Sequence, residues 1–203
     1  MKKQKILNFY NVFIENFILK DLEVLQLIIP NPDTGLKGCT IPTAMAIISA
    51  MDLLGLLLNV KGKTNDSSDN IAYFVNFNNH SLFPNYYGTN EIDKICNYRS
   101  GMMHHFFPKF KGQFAGICKD GKNPSLFISH LAIGQTEESL NVTVLAKDFT
   151  EALKKLKMYL ESSTDETLFE TILMHLKNLD YYLDIAPTNT KCTTISPGTP
   201  KNP

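Results

Sequence analysis

Residues Pro42–Leu58 read PTAMAIISAMDLLGLLL, a run in which apolar residues occupy every face of a helix and Asp52 is the single charge. Thr40 supplies a cap, and Pro42 an early-helix proline whose fixed φ suits the first turn. A helix apolar nearly all round belongs in the middle of a bundle. Asp52 then needs a partner, because an unpaired carboxylate taken out of water costs several kcal/mol or takes up a proton.

Working outward, the residues before this run carry Ile6, Phe9, Tyr10, Phe13, Phe17, Leu22, Leu25 and Ile29 at helical intervals, which predicts a first helix reaching about Pro30. After the polar stretch Gly62 to Asp69, Ile71, Phe74, Val75 and Phe77 predict a third helix. A fourth starts near Thr89 or Asn90, carries Ile92, Ile95, Tyr98 and Met102 on one side, and must stop before Pro108. The period then changes. Phe114, Ala115 and Ile117, a turn at Lys119 to Asn123, and Leu126 to Leu131 read as a β-hairpin, and Leu140 to Leu145 alternates as a third strand. Asp148 with Glu151, and Ser163 with Glu166, stand as capping boxes ahead of two more helices at about Phe149–Leu160 and Asp165–Leu183. The sequence therefore predicts a mainly α, up-and-down helical bundle with an inserted small antiparallel β-meander at about residues 112–146. One domain spans 1–185, and the Pro- and Thr-rich residues 186–203 form a tail with no apolar face to bury.

Composition narrows the function. The chain has 203 residues, 20 basic against 20 acidic side chains, and 43% hydrophobic residues, as a globular domain with a sizeable core does. A strongly basic nucleic-acid coat is excluded, so any RNA contact would need a local patch. No run reaches the ~20 apolar residues of a membrane span, and the N-terminal lysines lead into a segment broken by Asn8, Asn11, Glu15 and Asn16, so no membrane partner is expected. Cys39, Cys96, Cys118 and Cys192 form no CxxC pair, so neither a disulfide framework nor a zinc site is signalled, no cofactor or metal is expected, and a reducing cytoplasm is the expected compartment.

The segment that carries chemistry is Tyr98-Arg99-Ser100-Gly101-Met102-Met103-His104-His105-Phe106-Phe107-Pro108. It holds the chain's only arginine, a polar residue after it, and histidine after four intervening positions. This resembles the R-x(4–6)-H motif of the HEPN superfamily, helical bundles in which the motif lies at the end of a late helix. The resemblance implies a HEPN-like bundle over about residues 5–183, working as a homodimer, and a metal-independent endoribonuclease acting as a toxin or defence component with an RNA substrate and an antitoxin partner. In that reading His104 is the acid/base that removes a 2′-hydroxyl proton, Arg99 clamps the phosphate, and Ser100 orients by hydrogen bonding. Ser100 departs from the Asn, Asp or His that often follows the family's arginine. Five residues of straight helix turn about 500°, which leaves positions 99 and 104 about 140° apart, so the reading needs the helix to unwind at Gly101 to Met103 or a second subunit to complete the site.

The same residues carry plainer readings. Arg99 can neutralise Asp52 inside the bundle, its planar fork satisfying both carboxylate oxygens at once. His105 is read as a supporting neighbour, and His130 and His175 as structural. Lys109, Lys111, Lys119 and Lys122 are the one candidate basic patch. The competing function is thus a non-catalytic HEPN-like structural, regulatory or ligand-binding domain, favoured by the neutral charge and by Ser100.

Overall fold

A computed structural model describes residues 2–28, 38–60, 66–77, 82–105, 109–110, 113–114, 116–132 and 135–180. The protein is mainly helical with a small sheet. The first helix has three continuous parts: α1 (Lys2–Phe9), a π-helical stretch (Tyr10–Leu19) and α2 (Lys20–Leu27). Then come α3 (Thr40–Leu58), α4 (Ser67–Val75) and α5 (Thr89–His105), the strands β1 (Lys109–Phe110), β2 (Gln113–Phe114), β3 (Gly116–Cys118), β4 (Phe127–Ala132) and β5 (Gln135–Asn141), and finally α6 (Val142–Ser162) and α7 (Glu166–Asn178). The expected tail lies outside the described residues, as do His80, Lys111 and Cys192.

α3 is central, packing against α2, α4, α5, α6 and α7. Its inward face, with Ala44, Ile47, Ile48, Met51, Leu54 and Leu58, is buried. At 19 residues and a mean hydropathy of 1.9 it is long and apolar enough to cross a membrane, contrary to the sequence-based expectation, and 56% of it is buried against the rest of the protein. Phe74 of α4 meets Phe83 edge-on at 5.5 Å and Phe149 of α6 at 6.2 Å, which ties the middle of the bundle together. Each such fully buried ring contributes roughly 1.5–3 kcal/mol.

The π-helical stretch changes which residues of the first helix face inward. Bonding from i to i+5 widens the turn, so Ile6, Tyr10 and Ile14, four apart, are buried, and Phe17, expected on that stripe, is exposed. Along the flank Phe9 instead stacks on Phe13 at 5.4 Å, and Phe13 meets Phe17 at a tilt at 6.1 Å. The buried Tyr10 hydroxyl donates to the Leu153 carbonyl at 2.6 Å, and Lys2 reaches Glu166 and Glu170, so this helix is seated on α6 and α7.

The sheet departs from the expected meander. Its order is β3-β5-β4, with β4 and β5 an antiparallel pair and β3 parallel to β5. Residues 142–145, expected as strand, are the first turn of α6: the Asn141 side chain accepts from the Thr143 amide, so the alternation of Val142 and Val144 belongs to a helix start. Asn141, fully buried, also accepts from the Asp120 amide at 3.2 Å and donates to the carbonyls of Asp120 and Asn123. That pins residues 120–123 to the start of α6 and takes the place of a hairpin turn. Glu151 is correspondingly not a capping residue; it sits mid-helix, paired with Lys154. α7 is capped by Asp165, which accepts from Leu168, so Ser163 is not the cap residue.

Candidate functional site

Asp52 and Arg99 are partners. The Arg99 Nη2 lies 2.8 Å from Asp52 Oδ2, joining α5 to α3. The guanidinium does not take both carboxylate oxygens, as expected from its fork; the second, Oδ1, accepts from the Asn70 Nδ2 of α4 at 2.9 Å. Asn70 comes so close because Gly55 faces it: a Cβ at position 55 would stand 1.8 Å from the Asn70 carbonyl oxygen. Three helices therefore meet over one carboxylate. The Arg99 Nε is buried and has no hydrogen-bond partner among the described residues.

Above this pair lies an open cleft of about 560 Å³ lined by Asp66, Ser67, Ser68, Cys96, Arg99 and Ser100. α5 supplies the last three at positions i, i+3 and i+4, one face of a helix. The N-terminus of α4 supplies the others. Asp66 is its cap, with Oδ1 accepting from the Ser68 amide at 2.8 Å and from the Ser68 hydroxyl at 2.7 Å, and these bonds hold its carboxyl below the usual range. The Cys96 thiol is pushed up to about 11, first by burial, then by the negative charges of Asp93 and Asp66, against which Arg99 pulls the other way. A thiol so placed stays protonated at neutral pH and is a poor nucleophile. Asp52, Asp66 and Asp93 outnumber the one guanidinium, so the cleft offers hydroxyls and a compensated cation. Among the described residues lining it, none is an activated nucleophile or base.

The remaining expected site residues scatter. α5 stays helical through His105, without unwinding at Gly101 to Met103, so positions 99 and 104 lie about 140° apart around its axis. The side chains of His104 and His105 lie outside the described residues, as does that of His130, whose backbone is in β4. His175 is buried in α7, its Nε2 without a hydrogen-bond partner among the described residues. The basic patch does not assemble around Lys119: its ammonium donates to the carbonyls of Leu25 and Ile28 at 2.7 and 3.0 Å, closing the end of α2. Lys122 is exposed, and the side chains of Lys109 and Lys111 lie outside the described residues. Among the described residues no three His, Cys, Asp or Glu side chains are grouped as metal ligands.

Sequence reasoning missed Asn70, the two serines and Cys96. The usable signal was the run Asp66-Ser67-Ser68-Asp69, a helix start that reads equally well as part of a polar loop. Comparison with protein-family models, with curated proteins and with solved structures finds no match. The HEPN resemblance thus rests on the Arg99 to His104 spacing.

Proposed function

We propose that this chain is a non-catalytic helical binding domain, HEPN-like in its bundle, whose cleft over Arg99 takes a small polar ligand. The carrying observation is the 2.8 Å contact of Arg99 with Asp52. A guanidinium already neutralised by a carboxylate has little charge left to stabilise a phosphorane, whereas its open edge still donates hydrogen bonds. The hydroxyls of Ser67, Ser68 and Ser100 add neutral donors and acceptors around it, in a space within the range of small-molecule sites. Ligand-observed NMR with a panel of small polyols, carboxylic acids and phosphates tests this. Binders are expected to lose their signal in Ser100→Leu, a substitution at an exposed position that fills the cleft.

A second reading is the metal-independent endoribonuclease, a homodimer of toxin type with an RNA substrate and an antitoxin partner. It is favoured by Arg99 and Ser100 lining an open cleft on the same helix as His104. A labelled RNA pool incubated with EDTA decides between the two. The binding reading expects no cleavage; cleavage abolished by both Arg99→Lys and His104→Ala would overturn it in favour of the nuclease.

A further inference from the structure

A second depression, independent of the Arg99 cleft, lies between the π-helical stretch and α3. It holds about 400 Å³ and is lined by Phe13, Phe17, Ile18 and Asp21 on one side and by Ala46, Ser49, Ala50 and Leu53 on the other. The outward stripe of α3, Pro42, Ala46, Ser49 and Leu53, contains no charge, although a helix surface left to water normally carries charged residues. The adjoining face of the first helix exposes Phe17 at 56%, Val24 at 59% and Leu27 at 79%. Groove and ridge together form one apolar surface. Among the described residues Asp21 is its one lining charge, and no hydrogen bond or ion pair engages it.

These features specify the occupant. Both walls are helices whose backbone groups are already bonded internally, so an extended peptide laid here would find no ladder for its own amides and carbonyls, while a helix satisfies its own. The small side chains of Ala46, Ser49 and Ala50 leave room for a helix to approach closely between the taller Phe17 and Leu53. The charge selects which helix. The ion of α2 that lines the groove is Asp21; Lys20 and Glu23, also exposed, stand about 100° and 200° around the helix from it, and Lys119 is engaged by the α2 carbonyls. A second copy would bring a second uncompensated Asp21 carboxylate into the same drying interface, and an anionic lipid surface would meet like charge. We propose that this groove docks a basic amphipathic helix of another protein, its apolar face on Phe17, Ala46 and Leu53 and a lysine or arginine paired with Asp21.

The test uses the full chain and two fluorescently labelled model peptides of equal length with the same leucine and alanine face, one with lysines and one with glutamates at the polar positions. Anisotropy is expected to show the lysine peptide binding at least tenfold more tightly. Asp21→Asn should weaken it several-fold, and Ala46→Glu, at an exposed position whose variant keeps the wild-type melting curve, should abolish it. Equal binding of the two peptides, or lysine-peptide binding that survives Ala46→Glu, overturns the proposal. So does a homodimer seen by light scattering that Ala46→Glu dissociates, which would make the occupant a second copy. Sedimentation with phosphatidylcholine and phosphatidylglycerol vesicles that Ala46→Glu abolishes would make it a lipid surface and equally overturn the proposal.

Discussion

Two carboxylates are held inside apolar parts of this molecule, and they are held differently. Asp52, on α3, meets an opposite charge, Arg99, and an amide, Asn70. Asp148, on α6 and 7% exposed, meets none: its Oδ2 accepts from the hydroxyls of Tyr86 and Tyr87, whose rings stack at 5.1 Å. The first arrangement leaves a cation at the rim of an open cleft, where it can meet a ligand. The second consumes its donors in closing residues 82–88 onto α6, and leaves only the outer edge of Tyr86 to solvent. The carboxylate answered by a charge borders an open cleft; the one answered by neutral hydroxyls acts as a clasp. The distinction can be broken or sharpened by substitution.

The largest effect is expected at the ion pair. Arg99→Ala and Asp52→Ala should each lower stability by about 2–3 kcal/mol, the cost of stranding a buried partner reduced because both side chains retain some water contact. The double variant should lose much less than the sum, as a urea-denaturation cycle would show. Additive losses would mean the contact carries no coupling and the contrast with Asp148 is false.

Replacing each carboxylate by its amide separates the two modes more finely. Asp148→Asn keeps an oxygen for the tyrosine hydroxyls and should cost within about 1 kcal/mol, whereas Asp52→Asn removes the counter-charge of Arg99 and should cost about 2 kcal/mol. Equal costs in thermal melts would show that charge is irrelevant to both.

Alkali should find the clasp first. Burial, with the bonds and charge of Asp148 behind it, holds the phenols of Tyr86 and Tyr87 above their ordinary value of 10.0. The unfolded chain then loses those protons earlier, so their contribution is intact below about pH 10 and is lost as pH rises toward the folded values. Tyrosinate absorbance during an alkaline titration should show a late, cooperative step, shifted in Tyr87→Phe. A step unchanged by that substitution would place the cause elsewhere.

The smallest effect concerns the cleft itself. With every other cysteine replaced by serine, Cys96 should react slowly with iodoacetamide at pH 8, and the rate should climb until about pH 11, where its thiol ionises. A rate that levels off near pH 9 would mean that neither burial nor the neighbouring carboxylates hold the thiol up.

What could be read in the sequence followed from rarity and from period. Arg99 and Asp52 could be matched because each is alone, the one as the only arginine and the other as the only charge in its helix. The helices announced themselves by apolar spacing, and the central place of α3 by its lack of a polar face. Asn70 and Asp148 gave no such signal: one asparagine among many, and an aspartate three residues before a glutamate that imitates a cap. Parallel pairing of β3 with β5 was hidden because neighbouring strands in sequence suggest a hairpin, and the link that replaces it is a single side chain, Asn141. The Gly55 contact depends on where a different helix crosses, which no local pattern records.

The seating of the first helix has a consequence for the order in which the molecule can be made. Tyr10 bonds a carbonyl 143 residues further on, and Lys2 a carboxylate 168 residues further on. Synthesis at ~5–20 residues per second therefore leaves this helix without those partners for roughly 8–30 seconds after it leaves the ribosome. During that interval its aromatic flank and the unfilled side of α3 face the cell together, and both rely on segments not yet translated. Contacts so remote in the chain also slow refolding of the finished protein, since their loop closure must precede their gain. A helix made early is thus locked late, and the wait falls on the segment that carries Phe9, Phe13 and Phe17.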